Sequence, residues 1–435
     1  MRKNVYNKIN GDKMKEYFKF KEKTVLISGK KRGLIQNLKE NKVYSIDENS
    51  VKYLIPILNG NKIDSIVKKE DLNEFIDFLN ILVNRSLGEF TDIPIKSGEI
   101  NINKVINKTF NNVWFELRKA CNLKCCHCYM DCNSNRDSNL KLLNLNEWKN
   151  IINELTNYKV ERITLIGGEP LIFKHITELI DYINLKLPKC EIVLYSNLSL
   201  LSDNILNCII KNKVKVVTSI YSNESNIHNK ITGHIGSFNL TVENIKKLRR
   251  NNVYVQANSV LMTYNVNNIS QTKRFIYDLT GVMGRIDIIR DIGKSKDHLI
   301  PKNISNKFNR VRTKADFNLI SEKDFIRNYS GNSCWTGKIN ISCDGYISPC
   351  IMGEDFINKD FNIRNYSLEE LLDKYIIPSF WSISKDNIEV CKDCEYRYVC
   401  KDCRPINKEG NNKLSKGGFC NYNPYTGIWE NEKRD

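Results

Sequence analysis

Cys121, Cys125 and Cys128 stand at C-x3-C-x2-C spacing just after an apolar, strand-like run, Val113–Leu117. Thiolates this close on one loop bind soft metals. A cubane [4Fe–4S] cluster ordinarily takes four Cys ligands, so three hold three irons and leave the fourth open to a small chelating molecule. Structural zinc is the competing occupant, but it prefers paired C-x2–4-C units closed to four ligands. The adjacent Cys126 reads as a bystander.

Such a loop must hang from the end of a secondary-structure element. Between residues 113 and 290 strands alternate with amphipathic helices, the pattern of a parallel sheet with crossover helices. Six strand candidates are Val113–Leu117, Arg162–Ile166, Glu191–Ser196, Lys215–Ile220, Val253–Leu261 and Arg285–Arg290. Between them Trp148, Ile151, Ile152 and Leu155 recur at helical spacing, as do Ile176, Leu179, Ile180 and Ile183, and both sets read as core. The fold class is therefore α/β. The second strand runs into Gly167-Gly168-Glu169-Pro170, about 40 residues after the cysteine loop, where two glycines let backbone approach a ligand. The third closes with Tyr195-Ser196-Asn197 and the fourth with Thr218-Ser219-Ile220-Tyr221. Ser196 and Ser219 read equally as ligand contacts or as satisfied strand caps.

The cysteine loop followed by Gly-Gly-Glu-Pro at a strand end resembles radical S-adenosylmethionine (radical SAM) enzymes. The resemblance implies a partial (β/α)6 barrel, a [4Fe–4S] cluster on Cys121, Cys125 and Cys128, and S-adenosylmethionine (SAM) chelating the fourth iron. It further implies that His127 packs by the adenine, that Gly167, Gly168, Glu169 and Pro170 hold the SAM amino group, and that Ser196, Asn197 and Ser219 touch its ribose and methionine parts. The stretch Ile227–Gly233 resembles a family segment whose Asp and Arg are here Asn229 and Thr232. A charged partner for the SAM carboxylate is thus missing from that place, and Thr232→Arg is expected to be tolerated or to tighten SAM binding. His228 reads as a structural hydrogen-bonding residue.

A second zone of cysteines follows: Cys334, Gly345 and Cys350, then Cys391-x2-Cys394-x5-Cys400-x2-Cys403, then Cys420. It resembles the SPASM domain, which carries two auxiliary [4Fe–4S] clusters, although a zinc ribbon also uses C-x2-C pairs. The family usually has three residues where two separate Cys400 from Cys403. Carried over, Cys334, Cys350 and Cys403 hold the first cluster, and Cys391, Cys394, Cys400 and Cys420 the second. Cys343, beside an Asp344-Gly345 hairpin turn, is a further candidate for the first. Cys190 and Cys208 read as small buried hydrophobes, while Cys126 and Cys132 lie near the presumed site without ligand spacing.

Residues 1–42 carry 13 Lys or Arg against 4 Asp or Glu. A hairpin, Gly33–Leu38 with Lys42–Ile46, precedes two helical stretches, Val51–Leu58, interrupted by Pro56, and Leu72–Val83. This order resembles the winged-helix leader-recognition domains of peptide-modifying enzymes; a cap that only packs on the barrel is the plainer reading. The expected division is 1–100 leader-recognition-like, 110–290 partial barrel, 291–333 a polar bridging region without periodicity, and 334–435 SPASM.

The chain has 435 residues, 67 Lys and Arg against 50 Asp and Glu, and 15 Cys. No apolar run reaches the ~18 residues of a membrane span, which reads as a cytoplasmic protein. Many cysteines in a long chain without a secretory signal point to metal or redox chemistry. The net charge of +17 suits an acidic peptide or an acidic electron donor as well as nucleic acid, for which no recognition motif is present. The function implied by the resemblance is oxidative thioether or carbon–carbon crosslinking of a ribosomally made precursor peptide with a leader, driven by a 5′-deoxyadenosyl radical and a flavodoxin- or ferredoxin-type reductant. Sulfatase-maturing-type oxidation of a Cys or Ser and peptide epimerisation are the enzymatic alternatives. A non-enzymatic metal-cluster protein that binds nucleic acid is the alternative outside that class.

Overall fold

The computed structural model describes residues 15–100, 106–289, 293–295, 297–301, 317–401, 403–407, 414–417 and 420–429. The chain divides into two compact units, one of residues 1–106, 311–334 and 382–435, the other of 107–310 and 335–381. Neither the expected bridging region nor the expected C-terminal domain is contiguous with one unit.

The second unit holds the cysteine loop. Its parallel strands are β6 (Asn112–Arg118), β7 (Arg162–Gly167), β8 (Glu191–Tyr195), β9 (Lys215–Ser219), β10 (Val255–Leu261) and β11 (Ile286–Ile288), neighbours in chain order. All six strand candidates are present; Arg290, the last residue of the sixth, lies outside the described residues. Helices Leu145–Leu155, Ile176–Lys186, Asp203–Lys211, Ser237–Arg250 and Ile269–Thr280 bury their apolar stripes, among them Trp148, Ile151, Ile152 and Leu155 of the first. That helix starts at a capping box in which Asn144 and Glu147 satisfy each other's backbone N–H groups. The sheet continues beyond the six: β12 (Lys338–Ile341) pairs in parallel with β6, Ile339 opposite Val113, and β13 (Ile347–Ser348) folds back antiparallel. Residues expected to belong to the C-terminal domain thus complete the open side of the first barrel strand.

In the first unit β1 (Tyr17–Phe20) pairs antiparallel with β5 (Gly88–Thr91), and β2 (Thr24–Ser28), β3 (Gly33–Asn37) and β4 (Lys42–Ile46) form an antiparallel sheet. Helices Glu48–Leu58 and Leu72–Asn84 follow, Pro56 sitting in the last turn of the first. Two cores share this sheet. Ile35 and Ile46 join Leu54, Ile57, Phe75, Leu79 and Leu82 on one side. On the other, Val25, Ile27 and Leu34 pack with Phe317, Ile320, Phe325, Tyr396, Tyr422 and Trp429. The N-terminal region therefore does not close its own core; segments from beyond residue 310 complete it. Helix Glu322–Ser330, capped by Ser321 and burying Phe325, replaces part of the expected bridging region. Only Phe325 and Asn328 of that helix are buried, too few to leave a periodic signal.

The edge of this sheet is also not open along its whole length. Lys42 bridges Leu319 antiparallel, Val43 N–H donates to Asn318 O at 3.2 Å, and Ile320 N–H donates to Asn41 O at 3.1 Å.

Candidate active site

The cysteine loop leaves β6 at Arg118 and is pinned on several sides. Asp137 accepts the N–H groups of Lys119 and Ala120 at 2.8 and 3.0 Å. The C-terminal turn of helix Ser225–Thr232 holds the middle: Lys124 N–H donates to Thr232 O and Cys126 N–H to Ile231 O, at 2.9 and 3.0 Å. Gly233 ends that helix in the left-handed region, φ 64°, and a Cβ there would stand 2.8 Å from Lys124 O. Lys294 closes the far end, its N–H on Cys128 O at 2.9 Å and its Nζ on Cys132 O at 2.7 Å.

So held, Cys121, Cys125 and Cys128 line one cavity of about 410 Å³, the size of a small-molecule site. Among the described residues no three His, Cys, Asp or Glu side chains converge as they would on a single ion. The donor set, three thiols around a shared space, suits a group larger than one ion. Without such a group burial pushes the Cys121 thiol up to about 11 and the Cys125 thiol further, while hydrogen bonds from Cys132 pull the Cys128 thiol down. Ligation by a cation would reverse the first two, because metal-bound sulfur is thiolate. Leu123 N–H donates to Cys121 Sγ and Cys132 N–H to Cys128 Sγ, both at 3.4 Å.

The cavity also carries unpaired polar atoms that fit a polar ligand. Among the described residues, His127 Nδ1 and Thr218 Oγ1 are buried without a hydrogen-bond partner, and both residues line the cavity. Burial pushes the His127 imidazole down to about 4, so it is neutral at physiological pH. Its ring meets Tyr221 edge-on at 4.6 Å.

The remaining site candidates divide. Gly167, Gly168, Ser196, Asn197 and Ser219 line the cavity, but Glu169 and Pro170 do not. A Cβ on Gly167 would stand 2.2 Å from Arg118 O, and one on Gly168 2.3 Å from Ala120 O. The two glycines thus let the end of β7 lie against the backbone entering the cysteine loop, where the sequence had suggested approach to a ligand. Glu169 is fully buried behind them, and its carboxylate accepts Ser196 Oγ–H, Asn197 N–H and Leu171 N–H at 2.7, 2.8 and 3.0 Å. Asn197 Nδ2 in turn donates to Asn122 Oδ1 at 2.9 Å, tying β8 to the loop.

Thr232 lines the cavity with its hydroxyl already engaged, to His228 O at 3.1 Å and Ser237 Oγ at 2.7 Å. Asn229 Oδ1 accepts Ser237 Oγ–H and Phe238 N–H, both at 3.0 Å. His228, buried and held neutral, accepts Tyr221 N–H on Nδ1 at 3.2 Å. Among the described residues no Lys or Arg lines the cavity. Tyr195 and Thr218, at the strand ends noted in the sequence, also line the cavity, whereas sequence reading missed Asn258, Asp287 and Met352. Strand alternation signals one of them: β10 alternates buried and half-buried residues, which puts Asn258 and Val260 on the cavity side.

The C-terminal cysteines are distributed over both units. Cys334, Cys391, Cys394, Cys400, Cys403 and Cys420 belong to the first, Cys343 and Cys350 to the second. Cys394, Cys400 and Cys420 pack at the margin of one core, and Cys394 N–H donates to Cys391 O at 3.0 Å. Cys343 is buried at the end of β12, its carbonyl accepting Leu143 N–H at 2.6 Å.

Residues 116–276 match the radical SAM superfamily. The antilisterial bacteriocin subtilosin biosynthesis protein AlbA of Bacillus subtilis strain 168 is 24% identical over 369 residues, 80% of this chain and 79% of AlbA. The GTP 3′,8-cyclase of Clostridium perfringens is 31% identical over 147 residues, but these span only 34% of this chain and 45% of the cyclase. The crystal structure of Streptococcus suis SuiB superposes with a TM-score of 0.58 at 16% identity, covering 92% of this chain and 99% of SuiB, which shows a shared fold. With its parallel strands in chain order and three cysteines on the loop after the first, residues 116–276 are a radical SAM domain.

Proposed function

We propose that this protein is a radical SAM enzyme that oxidatively crosslinks a ribosomally made precursor peptide through a thioether or carbon–carbon bond. The observation that carries the reading is the single cavity onto which Cys121, Cys125 and Cys128 open together with the unpaired polar atoms of His127 and Thr218. When bound, a reduced [4Fe–4S] cluster and SAM would supply a 5′-deoxyadenosyl radical able to take a hydrogen atom from the substrate.

The chain's part is to hold and orient. Cys121, Cys125 and Cys128 bind the cluster. His127, Tyr221 and Thr218 would offer an adenine an aromatic wall and two polar atoms, and Asn197 and Ser219 would contact the rest of SAM. Glu169 fixes Ser196 and Asn197 from behind. The SPASM-like cysteines, Cys334, Cys350 and Cys403 in one set and Cys391, Cys394, Cys400 and Cys420 in the other, hold two auxiliary clusters. Crosslinking removes two hydrogens, so after hydrogen abstraction one further electron and one proton must leave the substrate; auxiliary clusters on these cysteines would supply an acceptor for the electron.

The peptide substrate is supported by two relatives, AlbA, named for subtilosin biosynthesis, and SuiB, solved bound to its precursor peptide SuiA. The basic N-terminal region suits an acidic leader. A flavodoxin- or ferredoxin-type protein supplies the reducing electron. No helix among the described residues is long and apolar enough to cross a membrane, in keeping with work in the cytoplasm.

The test is anaerobic reconstitution followed by assay. About twelve irons should bind as three [4Fe–4S] units, and Cys→Ala at 121, 125 and 128 together should remove about four. With a reductant the protein should convert SAM to methionine and 5′-deoxyadenosine, and a precursor peptide should lose two hydrogens by mass spectrometry. Stoichiometric zinc with little iron in oxygen-free protein would sink the reading. An unchanged mass with a D-residue would replace crosslinking by epimerisation.

A further inference from the structure

Beside the cysteine-lined cavity lies a smaller one of about 190 Å³, far above the ~10–15 Å³ that seats one water. Tyr129, Met130 and Met352 line both and form a shared wall. Two of the three are methionines, whose unbranched side chains rearrange readily around what they touch. The floor of this second chamber is built where β6 meets the added strands β12 and β13. Glu116, Asn340 and Ser348 line it there, each 4% exposed or less. Lys119, Asp131, Arg136 and Asp355 also line it but are less buried.

The hydrogen bonds on this floor run in one direction. Asn340 Nδ2 donates to Glu116 Oε2 at 3.4 Å and to Ser348 Oγ at 3.3 Å, which occupies both of its hydrogens. Ser348 Oγ–H donates to Cys350 O at 3.1 Å. Asn340 and Ser348 thus have no side-chain hydrogen left to give, whereas Asn340 Oδ1 is buried with no hydrogen-bond partner among the described residues. An unmet buried acceptor is destabilising, and strand pairing on both sides fixes this one in place, Asn340 lying opposite Trp114 of β6 and Ser348 of β13. A floor that offers an acceptor selects a group that brings its own hydrogen. Resting on the peptide-modifying reading above, we propose that this chamber is the specificity pocket for one side chain of the peptide substrate, a side chain ending in an O–H or N–H that donates to Asn340 Oδ1. Seated there, it holds the peptide against the wall shared with the cysteine cavity.

The experiment measures blocked tripeptides, acetyl-Gly-X-Gly-amide, by equilibrium dialysis against the full-length, anaerobically iron-loaded protein with SAM bound. Each pair differs by a donor: X is Tyr against Phe, Gln against Met, or Lys against norleucine. In at least one pair the donor-ending peptide should bind roughly three- to tenfold tighter, the scale of one hydrogen bond. The pair that shows the preference identifies the donor as hydroxyl, amide or ammonium. Asn340→Leu, close in size but without an acceptor, should bring that pair to parity, and Asn340→Ala should do the same, with SAM binding by each variant reporting that its barrel is folded. Equal binding within every pair by wild type, or no binding of any peptide, would overturn the proposal, as would a preference that persists in a variant that still binds SAM. A wild-type protein that takes up no iron and binds no SAM would instead overturn the reading on which the proposal rests, and this inference with it.

Discussion

Ser196 Oγ–H donates to Glu169 Oε1 at 2.7 Å across the ends of two adjacent barrel strands, inside a pocket where Glu169 has no exposed surface. The three hydrogen-bond partners of that carboxylate among the described residues are all donors, so it works as a strut that sets the backbone of Asn197 rather than as a wall of the cavity.

Burial raises the Glu169 carboxyl from 4.5 to about 7, against the pull of those hydrogen bonds. A carboxyl raised in the folded state binds its proton more tightly than in the unfolded chain. Its contribution to stability is therefore full below about pH 4.5 and lost as pH rises through about 7. Glu169→Gln removes this titration and turns an amide donor toward existing donors, a cost of about 1–3 kcal/mol. Thermal melts should show wild type ahead of the variant at about pH 5, with the gap narrowing by up to about 3 kcal/mol by about pH 8. A gap constant with pH would mean that the carboxyl does not titrate there.

With the His127 imidazole pushed down to about 4 by burial, the ring stays neutral throughout the physiological range. SAM affinity of the loaded protein, measured by calorimetry, should carry no histidine-like step between about pH 6 and pH 8. A weakening on acidification through about pH 6.5 would show a ring that protonates and competes with the ligand.

Thr232 was expected to accept Arg, but it is 1% exposed and its hydroxyl serves the helix end and Ser237. Thr232→Arg should instead destabilise by about 1–3 kcal/mol through overpacking, unless the chain extends into the cavity. Thr232→Val should cost about 1 kcal/mol of stability and leave SAM affinity unchanged. A tenfold loss of affinity in the Val variant would assign the hydroxyl to the ligand.

The sheet edge offers a sharper test of leader binding than removal of residues 1–100, because that deletion would strip Val25, Ile27 and Leu34 from a core shared with Tyr396 and Trp429. Val43 N–H points outward to Asn318, and by strand alternation so does Ser45 N–H. An added peptide strand would use that donor. Ser45→Pro should keep SAM cleavage without substrate, shift the melting temperature by a few degrees at most, and weaken precursor binding roughly tenfold or more. Equal affinity of both proteins for a fluorescent precursor would remove β4 from the leader site.

The barrel and its cysteine loop were legible because period-2 and period-3.6 patterns survive in Val113–Leu117, Arg162–Ile166 and the Trp148 helix, and because ligand spacing is local. That Glu169 stands buried behind the cavity lining was not legible, since a motif names residues but not the side of the strand end they face. Phe317 and Ile320 escaped notice because two apolar residues on a short segment have no period, although they pack against a sheet nearly three hundred residues earlier in the chain. The same holds for Lys338–Ile341, whose pairing with β6 depends on a partner far away in sequence.

Lys294 and Gly293 lie against the carbonyls of Cys128 and Tyr129, and a Cβ on Gly293 would stand 2.3 Å from Cys128 O. This clasp joins residues 162 positions apart where Lys294 meets Cys132. During synthesis the cysteines emerge long before the residues that lock their loop, and contacts of such sequence separation form late. Asp137 and the turn at Thr232 can hold the loop earlier, but its far end, at Cys128 and Cys132, gains this fastening only once residue 294 has left the ribosome.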